Sequence, residues 1–533
     1  MADLCRFLQP LLVTGLALVA ASCATVSNQP SLDRVSRAVA DRTAVDLATS
    51  QQSQEAIASR TAELVAVPLT AQNAVELALL NSPTLRAELE DLGIADADRV
   101  QAGLIHNPSL FGSIRFPSDS GAQNNVEWGV TQNLLDFLVR PARTRLAEQD
   151  YQRAQHRVGD AIVGLITDVD SAYFAALGTQ QIAAMTEKML DAARVSEELA
   201  GRFREAGNVS LLELTLEQAA AAEAELALTR SHTEAVMARE HLQRLLGLPA
   251  GSRNWRLPDS LPNVPDSAPS LNTLLAQAFE RRLDLAAARA ESSVVAEALS
   301  TTRRWRWTSG VEVGINQERD TDGTRVIGPN LSVELPLFDR RQAAIARLEA
   351  QARQSQDRIG ALEIRIHSEV EQGYALLQAQ RAMATTYRDR LIPLRTQVVE
   401  QSQLEQNYML IGIFQVLQAK QQEYDAYRRY LEATRDYWMA QADLSRAVGG
   451  GVGLLTASPG QPNERTTGHT ARVVDCGGRG GRRRRDPRQR RTIYPGRQSA
   501  GPEVHAGHNP EWCNATLHAQ EWRQGISPDR RRG

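Results

Sequence analysis

Apolar and polar residues alternate with a period of two in four short stretches of the chain, and with a helical period in several very long ones. In NPSLFGSIRFP, Asn107 to Pro117, Leu110, Ile114 and Phe116 fall on one side and Ser109, Ser113 and Arg115 on the other. NVEWGVTQNL, Asn125 to Leu134, alternates Val126, Trp128 and Val130 with Glu127, Gly129 and Thr131. Val311, Val313 and Ile315 alternate with Glu312, Gly314 and Asn316, and Leu331, Val333 and Leu335 with Ser332 and Glu334. Strict alternation predicts strands with one apolar and one polar face. Each stretch is about ten residues long, the length a tilted strand needs to cross a bilayer. Two readings stand: a soluble sheet laid on a core, or part of a barrel wall with lipid outside and water inside. Four strands cannot close a barrel, so the second reading demands an oligomer. The intervening loops, Ser118 to Asn124 and Glu318 to Arg325, are polar.

The long stretches are marked by absent prolines. None occurs between Pro141 and Pro249, between Pro336 and Pro393, or between Pro393 and Pro459. An interior proline costs about 3 kcal/mol in a helix, so these gaps permit very long ones. Ile162, Leu165, Ile166, Val169, Tyr173 and Ala176 recur at spacings of three and four, as do Ile359, Leu362, Ile366, Val370, Tyr374 and Leu377. Tyr424, Tyr427, Leu431 and Trp438 continue the pattern, which predicts coiled-coil-like packing. The period breaks at EAGNVS around Gly207 and at YMLIGIF around Gly412, where each long helix is expected to reverse into its partner.

The whole arrangement occurs twice. LQRLLG, Leu242 to Gly247, returns as LSRAVG, Leu444 to Gly449, at an offset of 202, and Phe203 to Gln218 falls on Glu405 to Lys420 at the same offset. ALLNSPTLRA, Ala78 to Ala87, faces AFERRLDLAA, Ala278 to Ala287, at an offset of 200. A repeat constrains the architecture more than any local signal. Each unit is read as a short helix, two strands and two very long helices.

The first residues change the picture. Arg6, an apolar run from Leu11 to Ala21, and the small residues Ala20, Ala21 and Ser22 have the anatomy of a secretory signal. That run is too short to span a bilayer, and no later segment reads as apolar enough to span one as a helix. AASC, Ala20 to Cys23, is similar to the bacterial lipoprotein cleavage box, with Ala20 where a leucine is usual; the other reading is an ordinary signal with Cys23 incidental. The remaining cysteines, Cys5, Cys476 and Cys513, form no zinc or disulfide framework.

Charge separates the other end. The net charge of the 533 residues is −3, yet Thr456 to Gly533 carries 15 arginines against 7 acidic residues. Only Lys188 and Lys420 are lysines. This Gly/Arg-rich tail reads as a solvated appendage rather than a nucleic-acid partner. No phosphate-binding glycine loop, nucleophile elbow or metal-spaced histidine cluster occurs in the patterned region, so an enzyme is not expected and no cofactor is implied. Met185 and Met189, four apart on a helix, are read as packing residues and not as a metal site.

Two strands and two long helices, repeated after an export signal, resemble the outer-membrane efflux protein family, the TolC-like exit ducts. ALLNSP (Ala78 to Pro83), EAGNVSLLEL (Glu205 to Leu214), LQRLLG and LPLFDRR (Leu335 to Arg341) carry the resemblance, which covers roughly Leu69 to Gly449. It implies a mainly α fold with β, trimerising into a twelve-stranded outer-membrane barrel and a twelve-helix periplasmic tunnel. It also implies a passive duct, a periplasmic adaptor, and an inner-membrane pump of the resistance-nodulation-division type. YMLIGIFQVLQAK, Tyr408 to Lys420, is similar to the branch associated with heavy-metal export. Lipidation falls on Cys23, and the gate and docking tip on Glu205, Gly207, Val209, Glu213, Glu405, Ile411 and Gly412. An acidic gate is not expected, because Val209 and Ile411 stand at the aligned tip positions. The chain then divides into a signal peptide (1–22), a lipid-anchored linker (23–68), a first repeat (69–250), a linker (251–272), a second repeat (273–450) and the basic tail (451–533). A periplasmic coiled-coil adaptor or scaffold, with the strands in a soluble sheet, is the alternative.

Overall fold

The four alternating stretches form one antiparallel sheet: β1 (Ser109–Arg115), β2 (Asn125–Asn133), β3 (Gly310–Arg319) and β4 (Arg325–Glu334), in the order β1-β2-β3-β4. The computed structural model describes residues 35–37, 39, 40, 42, 53–118, 123–249, 251, 252, 254–267, 269–307 and 310–451; the export signal, Cys23 and the basic tail lie outside the described residues. The sheet mixes the repeats, because β2 of the first unit pairs with β3 of the second. Leu110 lies opposite Val130, Val130 opposite Ile315, and Ile315 opposite Pro329, so one row of the apolar face crosses all four strands. Among the described residues that face has no core behind it: Leu110 is 75% and Ile315 61% exposed, and Ile114, Val130 and Leu331 are exposed as well.

The opposite face carries polar contacts, one across the two repeats and one within the first. Asn125 Nδ2 donates to Glu318 Oε1 (2.7 Å), and Arg115 pairs with Glu127 (3.1 Å). Phe111 has the parity of this polar face, and its ring lies over Gly129, where a Cβ would come within 2.7 Å of it. An aromatic ring covering a strand glycine replaces the contacts that the missing side chain would make.

Two helices precede each hairpin, where the sequence predicts one. Thr70 and Ser270 cap them equivalently, accepting from Asn73 N (3.2 Å) and Thr273 N (3.3 Å). After α1 (Gln54–Ala66), α2 (Ala71–Asn81) and α3 (Pro83–Gly103) lead to β1. The long α4 (Leu135–Glu205) follows β2 and reverses into α5 (Leu211–Leu245); α6 (Leu271–Arg281) and α7 (Leu283–Arg304) then lead to β3. After β4, α8 (Gln342–Thr386), a π turn (Tyr387–Leu391) and α9 (Ile392–Asn407) form one rod, which reverses into α10 (Ile413–Val448). At about 1.5 Å per residue the 71-residue α4 is roughly 105 Å long.

Two prolines lie within the rods. Pro141 falls inside α4, whose first turn begins earlier than the proline-free run, at Leu135. Pro393 has no N–H to offer the preceding turn and its ring crowds that turn's carbonyl. The π turn ends just before it, with Ile392 N bonding to Tyr387 O, and lets the rod continue.

The predicted apolar stripe is core. Ile162, Ile166, Val169, Tyr173 and Ala176 are buried on α4, and Leu362, Ile366, Val370 and Leu377 on α8. One window of α4 does reach a mean hydropathy of 1.4, contrary to the sequence reading that no later segment is apolar enough to span. That window is 72% buried inside the fold, so its apolarity serves packing. The segment between the repeats packs closely too. Trp255, Leu257 and Val264 are buried, Arg239 lies 3.8 Å above the Trp255 ring, and Trp438 Nε1 donates to Pro262 O (2.9 Å).

The recurring glycine of LQRLLG and LSRAVG has one cause in both units. Gly247 (φ 66°) and Gly449 (φ 86°) end α5 and α10 in the left-handed region. A Cβ on Gly247 would lie 2.5 Å from Asn81 O, and one on Gly449 3.0 Å from the backbone of Arg281. Each glycine thus lets the last turn of a long helix close against the end of a short one. Gly247→Ala and Gly449→Ala are each expected to cost roughly 2–4 kcal/mol in thermal unfolding, whereas Gly201→Ala, in open space within α4, is neutral or stabilising.

Asp170 is 4% exposed in the same core, and burial pushes its carboxyl up to about 8. The folded value exceeds the unfolded one, so this group favours folding below the ordinary carboxylate range and opposes it progressively as pH rises toward 8. Asp170→Asn is expected to raise the melting temperature by several degrees at pH 8 and to converge with the parent chain at pH 4.

Candidate functional site

The sequence places the candidate site at the two helix reversals, and the structure builds these differently. After α4, Gly207 takes φ 76°, and Asn208 N bonds to Phe203 O (2.9 Å). Ser210 then starts α5 with a capping box: its Oγ accepts from Glu213 N (3.1 Å), while Glu213 Oε2 accepts from Ser210 N (2.8 Å). Those bonds from Ser210 hold the Glu213 carboxyl below its ordinary range.

After α9, the residue at the Gly207 position is Met409, offset by 202, and it adopts φ 58°. Leu410 N closes this turn on Glu405 O (2.9 Å). Gly412 is not the left-handed residue; it is the extended N-cap of α10 (φ −78°, ψ 157°), and Gln415 Oε1 accepts from its N–H (3.2 Å). A non-glycine residue in the left-handed region costs on the order of 1 kcal/mol.

The two reversals are neighbours, because Phe203 meets Phe414 edge to face with centroids 6.2 Å apart. Of the predicted residues, Glu205, Gly207, Glu213, Glu405 and Gly412 are exposed, Ile411 is half-buried and Val209 is buried. Arg204 reaches the Val209 carbonyl (3.1 Å), which ties the loop back onto α4. Sequence reasoning missed the largest feature of these tips. Met409 is 92% exposed, and Tyr408, Leu410, Leu211 and Leu212 are exposed beside the turns. The signal was present as a run of large apolar residues at a position where the helical period breaks. Such a tip offers apolar contact area beside its exposed carboxylates. Met185 and Met189, by contrast, are both half-buried on α4.

Three comparisons bear on these features. Residues 74–248 match the model of the outer membrane efflux protein family. The chain is 26% identical over 387 residues to the cobalt-zinc-cadmium resistance protein CzcC of Cupriavidus metallidurans, covering 72% of this chain and 90% of that one. Its fold is similar to that of the outer-membrane channel OprN (TM-score 0.62, 16% identity, 75% of this chain and 94% of the other). The outer membrane protein VceC of Vibrio cholerae is similar at a TM-score of 0.58, with 17% identity over 72% of this chain and 96% of the other.

The strained turn gives a direct check. Met409→Gly is expected to stabilise the chain by about 0.5–1 kcal/mol in denaturant unfolding, because the left-handed penalty disappears. The same replacement removes the most exposed large apolar side chain of the tip.

Proposed function

We propose, from the match of residues 74–248 to the outer membrane efflux protein family, that the protein is the outer-membrane exit duct of a tripartite efflux system. It passively conducts substrates delivered by an inner-membrane pump, of the resistance-nodulation-division type, through a periplasmic adaptor. The observation that carries this reading is the sheet, with one face largely apolar and exposed and the outer edges of β1 and β4 without a strand partner among the described residues. Three copies joined edge to edge close a twelve-stranded wall, apolar toward lipid and polar toward water. The rods below it, of which α4 and the α8–α9 rod reach roughly 100 Å, then form the periplasmic tunnel of twelve helices.

Heavy-metal ions are the proposed substrate class, supported by the similarity to CzcC. The tips carry the proposed adaptor contact and gate, with Glu205, Gly207, Val209, Glu405, Ile411 and Gly412 grouped there and Glu213 serving as a helix cap. Cys23 is the proposed lipid anchor, auxiliary to a barrel that itself holds the protein in the membrane. A periplasmic scaffold without a barrel accounts for the rods but leaves the apolar sheet face in water.

Membrane fractionation and unboiled gel electrophoresis are expected to give an outer-membrane trimer, and planar bilayers a conductance. Ile315→Arg or Leu331→Arg, at an expected cost of about 2–4 kcal/mol near the bilayer midplane, reduces insertion. A soluble monomer with an unaffected Ile315→Arg variant would contradict the duct.

A further inference from the structure

Where the sheet joins the rods, aromatic rings and guanidinium groups are interleaved. Trp305, Arg306 and Trp307 lead into β3, while Leu335, Leu337, Phe338 and Arg340 follow β4. The guanidinium carbons of Arg306 and Arg340 lie 5.1 and 5.2 Å from the centroid of the Trp307 ring, so one indole gathers a cation from each side of the hairpin. Trp307 and both arginines are exposed. Arg303 is bound to Glu349 (2.5 Å), but among the described residues no ion pair is made by Arg306 or Arg340. The carboxylate beside Arg340 in sequence, Asp339, is engaged elsewhere: it accepts from the backbone N–H of Arg341 (2.7 Å).

The position of this cluster is set by the sheet. Leu331 and Val333 lie on the apolar face of β4 and are exposed, and just beyond the strand's end Leu335, Leu337 and Phe338 are exposed as well, Phe338 at 93%. The apolar band therefore runs out at the level of Trp307, where the chain enters the helical rods. A bilayer covering that band ends at the same level, and its headgroups meet this belt. Aromatic and arginine side chains suit such an interface, since the rings are amphipathic and the guanidinium stays charged. A guanidinium near a ring face keeps N–H donors free along its edge, in the fork that fits phosphate oxygens.

We propose that Arg306 and Arg340, organised by Trp307, form a binding site for the headgroup of an anionic phospholipid in the leaflet that faces the helical rods. The inference rests on the membrane-barrel reading and adds a lipid selectivity that the barrel alone does not require. Two phosphate-directed forks at a place with no competing ion pair favour an anionic over a zwitterionic headgroup. The expected preference is on the order of fivefold per guanidinium at low salt, and it weakens as salt rises.

The test uses the full chain in phosphatidylcholine vesicles containing spin-labelled phosphatidylglycerol or spin-labelled phosphatidylcholine. The immobilised fraction of each probe gives their relative association with the protein. The parent chain is expected to retain phosphatidylglycerol at least fivefold over phosphatidylcholine, Arg306→Gln/Arg340→Gln to fall to near parity, and Arg306→Lys/Arg340→Lys to lie between. An unboiled gel checks that each variant inserts and assembles. Parity in the parent chain, or a preference unchanged in the glutamine variant, overturns the lipid site and leaves the duct standing. A parent chain that never enters vesicles of either composition overturns the duct and the lipid site with it.

Discussion

A sheet that turns a largely apolar face outward, with no layer among the described residues to cover it, must obtain apolar surroundings from elsewhere. This constraint governs the rest of the molecule. Soluble antiparallel sheets satisfy it by laying helices or a second sheet on that face. Here the described helices leave the sheet at one end and pack among themselves, and in the proposed duct lipid supplies the covering. The two open edges impose the second half of the constraint, because unpaired strand N–H and C=O groups cannot face hydrocarbon. Closure with further copies satisfies both demands together.

The rods obey a different economy, in which length comes from repetition of simple contacts. α4 and the α8–α9 rod are sustained by buried residues three and four apart, and the shorter helices complete the packing along them. Where the chain must depart from a regular helix, a specific device appears. The π turn accommodates Pro393, Gly247 and Gly449 admit the ends of the short helices, and Ser210 with Glu213 restarts the helix after the first reversal. The second reversal lacks both the left-handed glycine and a side-chain hydroxyl cap, using Met409 and Gly412 instead. Its exposed apolar residues fit a surface intended for contact rather than for solvation.

What could be read beforehand followed from periodicity. Val126, Trp128 and Val130 declare a strand and its faces because successive side chains point to opposite sides, and the proline-free runs declare long helices because proline is so costly inside them. Features set by distant contacts were not legible. Nothing local in GVTQ says that Gly129 lies under Phe111, and nothing in LQRLLG says that Gly247 meets Asn81. The second helix ahead of each hairpin was missed because α3 and α7 carry only a few buried positions, so their apolar stripe is faint. At the tips, Glu213 was recognisable as a possible cap from the Ser-x-x-Glu spacing, whereas the left-handed turn at Met409 emerges only once the two reversals are superposed.

The central claim is that one face of the sheet meets lipid and the other encloses water. Nitroxide labels placed singly along β3, at each position from Val311 to Asn316, report it through collision with oxygen, which concentrates in hydrocarbon, and with a water-soluble nickel chelate. The account predicts a period of two: Val311, Val313 and Ile315 accessible to oxygen, Glu312, Gly314 and Asn316 to the chelate. Uniform chelate access at all six positions would contradict it, because the sheet would then stand in water on both faces.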